Sequence, residues 1–211
     1  KIIAANTDFH TQGYFVFDSK KAGAVTISHL RFCSNPIKSP YLISQAEFVA
    51  CHQFPFLEQV DIIKYATPGG TFLLHAPYGK DEVWDKLPRT VQQQIIDKKL
   101  KFYVIDAQKV ADKTGMGKRI NTIMQTCFFA ITDVLECGQA IAAIKDAINR
   151  TYSHKSEKVL QSNFAAVDQA LAHLEEVTVP DQATAGHDRP PTVPEQAPDF
   201  VKRVTAMMLS G

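Results

Sequence analysis

Five short runs rich in β-branched and aromatic side chains are each bounded by turn residues: YFVF (14–17), AVTISHL (24–30), EFVACH (47–52), GTFLLHA (70–76) and KFYVIDA (101–107). The pattern predicts five strands. The last three are apolar almost throughout instead of alternating, as expected for strands covered on both faces. Between them lie helical patterns. FPFLEQVDIIKYA (54–66) puts Phe56, Val60, Ile63 and Tyr65 near one face, and the TPGG that follows reads as its stop. LPRTVQQQIIDKK (87–99) opens with a proline suited to a first turn and closes on two lysines that complement the helix dipole. From about residue 116 the period becomes purely helical. Ile120, Ile123, Met124, Cys127, Phe128, Ile131, Val134 and Leu135 form one apolar stripe, and residues 138–152 and 156–177 continue it.

Alternating strands and helices imply an α/β fold, a three-layer α/β/α domain with a mostly parallel sheet and a helical C-terminal half. The short DSKKAG between the first two strands leaves two readings, a hairpin or a corner. After Val177 the composition changes: residues 178–198 hold five of the 11 prolines and almost no large apolar side chain, a linker or a surface-wrapping arm. DFVKRVTAMMLSG then reads as a short helix capped by Asp199. The expected organisation is a domain over residues 1–176, a Pro-rich arm over 177–198 and a terminal helix over 199–211 leading to a further domain.

A chain of 211 residues with 45% hydrophobic and 21% charged residues is long enough to bury a substantial core. Its 23 basic and 22 acidic residues leave a formal charge of +1, which gives no general reason to expect nucleic acid; any anion site must be local. No apolar run reaches the roughly 18 residues that span a bilayer, and no membrane role is expected. Cys33, Cys51, Cys127 and Cys137 contain no CxxC pair, so neither a zinc site nor an iron–sulfur site is indicated. Scattered cysteines without a signal peptide fit a reducing cytoplasm. The chain opens on KIIAANTDF and closes on MMLSG, which reads as a piece of a longer polypeptide.

The strongest local chemistry is in TGMGKRIN (114–121). Two glycines permit a left-handed backbone, the following helix offers free N–H groups, and Lys118 and Arg119 add charge. The spacing is not that of a Walker loop, so a tight turn with a helix start stands beside the anion-site reading. Cys127 falls on the buried stripe and reads as core. Cys51 and His52 are adjacent strand residues that point to opposite faces, which fits a core thiol and a surface imidazole better than a nucleophile and base. The two lysines of DSKKAG suit a phosphate or simply a solvated turn. His75, at the carboxyl end of a strand, is a ligand contact or a satisfied core histidine. No closed catalytic constellation emerges.

NTDFHTQGYFVFDSKKAGAVTISHLRF, GGTFLLHAPYGKDEVWDKLP, QQQIIDKKLKFYVIDA and GKRINTIMQTCFF, with FVACHQ and SNFAAVDQAL, resemble consecutive segments of the pyruvate:ferredoxin (or flavodoxin) oxidoreductases, in particular the third, gamma-type domain of the long single-chain enzymes. The likeness runs from Lys1 to about Leu174 and resumes at PDFVKRV. It implies an enzyme that oxidatively decarboxylates pyruvate with coenzyme A to acetyl-CoA, carbon dioxide and reduced ferredoxin or flavodoxin. It also implies thiamine diphosphate, Mg and [4Fe-4S] clusters held by other domains, a cytoplasmic homodimer, and a gamma-type domain that helps bind coenzyme A. The family's contacts carry over to Lys20 or Lys21, Asn121 and Asn163. The glycine-rich segment that precedes this domain in the family lies before Lys1, and the family more often has Gly and Asn where Cys33 and His75 stand. The isolated piece is expected to be catalytically inactive. The alternative is a purely structural domain that packs against the thiamine-binding domains.

Overall fold

The computed structural model describes residues 2–17 and 25–210. In chain order the first elements are α1 (Ile2–Asn6), β1 (His10–Val16), β2 (Ile27–Cys33), β3 (Ala46–Cys51), α2 (Phe56–Gln59), a 3-10 turn (Ile63–Tyr65) and β4 (Ala66–His75). There follow α3 (Val83–Lys86), α4 (Arg89–Asp97), β5 (Lys101–Ile105), α5 (Ala107–Lys113), α6 (Asn121–Ile131), α7 (Cys137–Tyr152) and α8 (Glu157–Ala172). The chain closes through β6 (Glu175–Val177), a π-helical stretch (Val201–Thr205) and α9 (Ala206–Ser210).

These elements form two compact units, one from residues 1–44 and 105–174 and the other from 45–104 and 175–211. The second unit holds a sheet in the order β3-β4-β5-β6, with β3 and β4 parallel and β5 and β6 antiparallel. The class is α/β, and the sheet is mixed because the chain returns along β5 after Leu174. Its core is Val49, Leu57, Phe72, Leu74, Trp84, Val91 and Phe102 among others, with the Phe72 and Phe102 rings stacked 5.4 Å apart.

The helix expected over 54–66 is broken into α2 and the 3-10 turn, because the chain extends at Val60 (φ −131°, ψ 139°). TPGG is not a helix stop but part of β4. The register advances from Ala46↔Ala66 to Phe48↔Thr71, so three extra β4 residues bulge out. Gly69 takes φ +74° in that bulge, and a Cβ on Gly70 would lie 2.9 Å from the Thr67 carbonyl and 3.0 Å from that of Glu47. α4 ends with Lys99 at φ +50° and the Leu100 N–H on the Ile95 carbonyl. Lys98, the C-cap of α4, donates from Nζ to the carbonyls of Ile63, Lys64 and Ala66 at 2.8, 3.0 and 2.7 Å.

Residues 178–198 wrap this unit. Gln92, fully buried, accepts at Oε1 from the N–H groups of Thr184 and Ala185 (2.8 and 2.9 Å) and donates to the Trp84 carbonyl at 2.7 Å. Asp188 accepts from the Thr90 hydroxyl and N–H, and Arg189 donates to the Leu57 carbonyl and pairs with Asp61. Of the two readings of this stretch, the wrapping arm is the one realised. Helical backbone begins at Asp199, which sits in the first turn and pairs with Arg203 instead of capping it.

The first unit packs α6, α7 and α8 together, with α1 against α7 and α5 against α6 and α8. Phe129, Ile144, Ile148 and Val167 form its core, joined by Ile2 and Ile3. Two acidic caps start its helices: Asp106 accepts from the Lys109 N–H, and Glu136 accepts from those of Gly138 and Gln139. β1 and β2 form a separate antiparallel ribbon with Val16 opposite Ile27, so the strands flanking DSKKAG make a hairpin and not a corner.

Candidate functional site

The TGMGKRIN loop is held from both ends. Met116 is buried and its N–H reaches the Ala111 carbonyl at 2.8 Å, which folds the chain back over the end of α5. Gly115 and Gly117 take φ +71° and +62°, the left-handed turns that glycine adopts without a Cβ penalty. Gln108 spans the loop, its Nε2 donating to the Gly117 carbonyl at 3.0 Å and to Asp112 at 2.7 Å. Arg119 spends its Nε on the Met116 carbonyl, whereas Lys118 is exposed and has no ion pair among the described residues.

α6 starts at Asn121, and its N-cap Ile120 supplies no side-chain hydrogen bond. The first-turn N–H groups, which have no intrahelical acceptor, thus lack a side-chain cap from Ile120, and the positive end of the helix dipole lies at Asn121. The loop lies against α8: a Cβ on Gly115 would sit 3.3 Å from Ser162 Oγ. The fold thus brings the 114–121 motif beside the helix that bears Asn163. Asn121 is exposed. Asn163 is not; it is 1% exposed and its Nδ2 donates to the Val159 carbonyl of its own helix at 2.7 Å. Lys20 and Lys21 lie outside the described residues. Gln108 and Ser162 escaped the sequence reading, since nothing in the local pattern around either marks it as a neighbour of the glycine turn.

The thiols and imidazoles divide as their strand and helix positions dictate. Cys127 is fully buried and burial pushes its pKa up to about 12; Cys51, buried on the core face of β3, is pushed up to about 11 for the same reason. Cys51 donates to the Gln53 carbonyl at 3.1 Å. Neither thiol is poised as a nucleophile. His52 has its pKa lowered by desolvation and then by His75, which follows from Cys51↔Leu74 being the last register pair of β3 and β4.

Residues 1–173 match the family described as Pyruvate ferredoxin/flavodoxin oxidoreductase. The chain belongs to that family. It is 59% identical over 211 residues to a pyruvate-flavodoxin oxidoreductase of Rhodospirillum rubrum, 47% over 211 residues to a probable pyruvate-flavodoxin oxidoreductase of Escherichia coli, and 47% over 204 residues to a pyruvate:ferredoxin oxidoreductase of Moorella thermoacetica. Those alignments take in 100%, 100% and 97% of this chain but only 18%, 18% and 17% of the relatives. The chain thus spans less than a fifth of their length.

Two solved structures share the oxidoreductase fold. The pyruvate oxidoreductase subunit PORC of Thermotoga maritima superposes with a TM-score of 0.60 at 14% identity, covering 82% of this chain and 84% of that one. The 2-oxoglutarate:ferredoxin oxidoreductase of Magnetococcus marinus, solved with 2-oxoglutarate, coenzyme A and succinyl-CoA, gives 0.59 at 19% identity, covering 81% of this chain and 27% of that one. Among the described residues no three His, Cys, Asp or Glu side chains come together as a metal ion requires, and no helix is long and apolar enough to cross a membrane.

Proposed function

We propose that this chain is the coenzyme A-contacting domain of a larger pyruvate:flavodoxin or ferredoxin oxidoreductase. In this reading the whole enzyme oxidises pyruvate with coenzyme A to acetyl-CoA and carbon dioxide and reduces ferredoxin or flavodoxin. The remaining domains of the same cytoplasmic, homodimeric enzyme hold thiamine diphosphate, Mg and the [4Fe-4S] clusters. The observation that carries the reading is the 59% identity, over all 211 residues of this chain, to part of the Rhodospirillum rubrum enzyme. The coenzyme A role is supported by the loop itself, where an uncapped helix start, exposed Lys118 and exposed Asn121 offer cationic and amide donors to a phosphate-bearing ligand. The Magnetococcus marinus enzyme, of the same fold, was solved with coenzyme A. Lys20 and Lys21 would add charge to the same ligand.

The buried amide of Asn163 favours a second role for that residue, in holding α8 together, and with it the reading of a purely structural, assembling domain. The two readings part in the full-length enzyme. Asn121→Ala should raise the KM for coenzyme A roughly 2- to 10-fold, the worth of about one hydrogen bond, and leave pyruvate decarboxylation at thiamine diphosphate intact. Asn163→Ala should in addition lower the unfolding midpoint. An unchanged coenzyme A dependence in both variants would favour the structural domain, and turnover by the 211-residue chain alone would contradict both readings.

A further inference from the structure

The β1–β2 ribbon has two unlike faces. Register partners on an antiparallel pair share a face, so Gln12, Tyr14, His29 and Arg31 stand on one side. There Arg31 donates to Gln12 Oε1 at 2.9 Å, to the Tyr14 hydroxyl at 3.1 Å and to the Tyr41 carbonyl at 2.6 Å, and lies 4.8 Å from the Tyr41 ring centre. Tyr14 stacks on His29 at 5.2 Å and its hydroxyl donates to the Tyr41 carbonyl. The chain's own segment around Ser39–Tyr41 covers Gln12, Tyr14 and Arg31 on this side, while Val16 at its end is 39% exposed.

Among the described residues the opposite side is uncovered beyond its root. Phe32 at its root packs against Phe9 and Phe128, with ring centres 6.2 and 6.5 Å away. Beyond that anchor come Leu30, Phe15 and Phe17, which are 59%, 57% and 71% exposed. The Phe15 and Phe17 rings are 6.1 Å apart, and Leu30 lies across Gly13, with its Cδ2 3.0 Å from the place a Cβ would take. Gly13 thereby lets Leu30 lie down and keeps the row flat. Single exposed apolar residues are ordinary, but a continuous row on one side of a two-stranded ribbon, itself marginal alone, points to a partner surface.

We propose that this bare face docks onto an apolar surface of another domain of the same polypeptide. The inference rests on the reading of the chain as part of a longer oxidoreductase, since the Rhodospirillum rubrum relative extends for more than four-fifths of its length beyond the matched part. A tethered domain is held at high effective concentration and needs few contacts to stay docked. Three side chains fall far short of the roughly 20–30 residues a side that hold separate chains together. A second copy of the chain is therefore the weaker occupant.

The test uses the full-length enzyme with p-benzoylphenylalanine in place of Phe17, a position open enough to accept it without disturbing a core. After irradiation the crosslinked product is sized on a denaturing gel and mapped by mass spectrometry. The expected product keeps the mass of one polypeptide and joins position 17 to a residue outside this 211-residue segment. A product of doubled mass, crosslinks confined to the segment itself, or no crosslink at all would each overturn the docking. A native polypeptide no longer than this chain would instead overturn the multidomain reading, so the two failures are distinguishable.

Discussion

A residue's chemistry here follows from where its element puts it. Cys51 and Cys127 are desolvated, with thiol pKa values near 11 and 12, while Cys33 and Cys137 are exposed. Iodoacetamide at pH 8 should therefore alkylate Cys33 and Cys137 in the native protein, and Cys51 and Cys127 only after denaturation, as peptide mapping would register. Rapid native labelling of Cys127 would mean that α6 does not carry it inward. The core position of Cys127 was legible in the helical stripe. The burial of Asn163 was not, because a polar residue in the QSNF sequence shows no outward sign that its amide closes back on the Val159 carbonyl.

The instructive element is β4. Its glycines looked like the end of a helix because Pro-Gly-Gly after an apolar run is the usual stop signal. They serve instead the bulge that re-aligns β4 with β3, and the two are not equivalent. Gly69 has open space but a left-handed φ, so Gly69→Ala should cost about 1 kcal/mol. Gly70 has two carbonyls within 3.0 Å of a would-be Cβ, and Gly70→Ala should cost more, on the order of 2–3 kcal/mol, because backbone must shift. Chemical denaturation of the two variants checks the order; equal losses would argue against the bulge geometry. The short-range signals around TPGG could not reveal the bulge, since the register that makes it is set by pairing with β3, whose Glu47 carbonyl supplies one of the two close contacts.

Across the whole molecule the proline-rich arm is decided by long-range partners. Gln92 Oε1 accepts twice from the arm while its Nε2 donates to Trp84 and to the Thr184 hydroxyl, and Asp188 of the arm accepts from Thr90. Burial raises the pKa of Asp188, but hydrogen bonds from Thr90 and the Arg189 N–H and the charge of Arg189 outweigh it, so the folded value lies below the ordinary 3.8. Asp188 therefore adds stability that is present above that ordinary value and is lost as pH falls through the lowered folded one. Thermal unfolding should show the parent protein more stable than Asp188→Asn above pH 4, with the gap closing below it. A gap that widened on acidification would contradict the assigned docking.

The sequence by itself determined the α/β class, the positions of most strands and helices, the buried stripe of α6 and the family, because these depend on local periodicity and on long stretches of matching residues. The loop at 114–121 was also visible, through its two glycines and the helix start. Only tertiary structure decided that the sheet is mixed, that TPGG belongs to a strand, that the arm is bound along its length, and that Ser162 abuts Gly115. It also decided which side of the β1–β2 ribbon is left uncovered. Each of these depends on contacts between residues far apart in the chain, where one carbonyl or amide finds its partner only once the backbone has folded to bring it there.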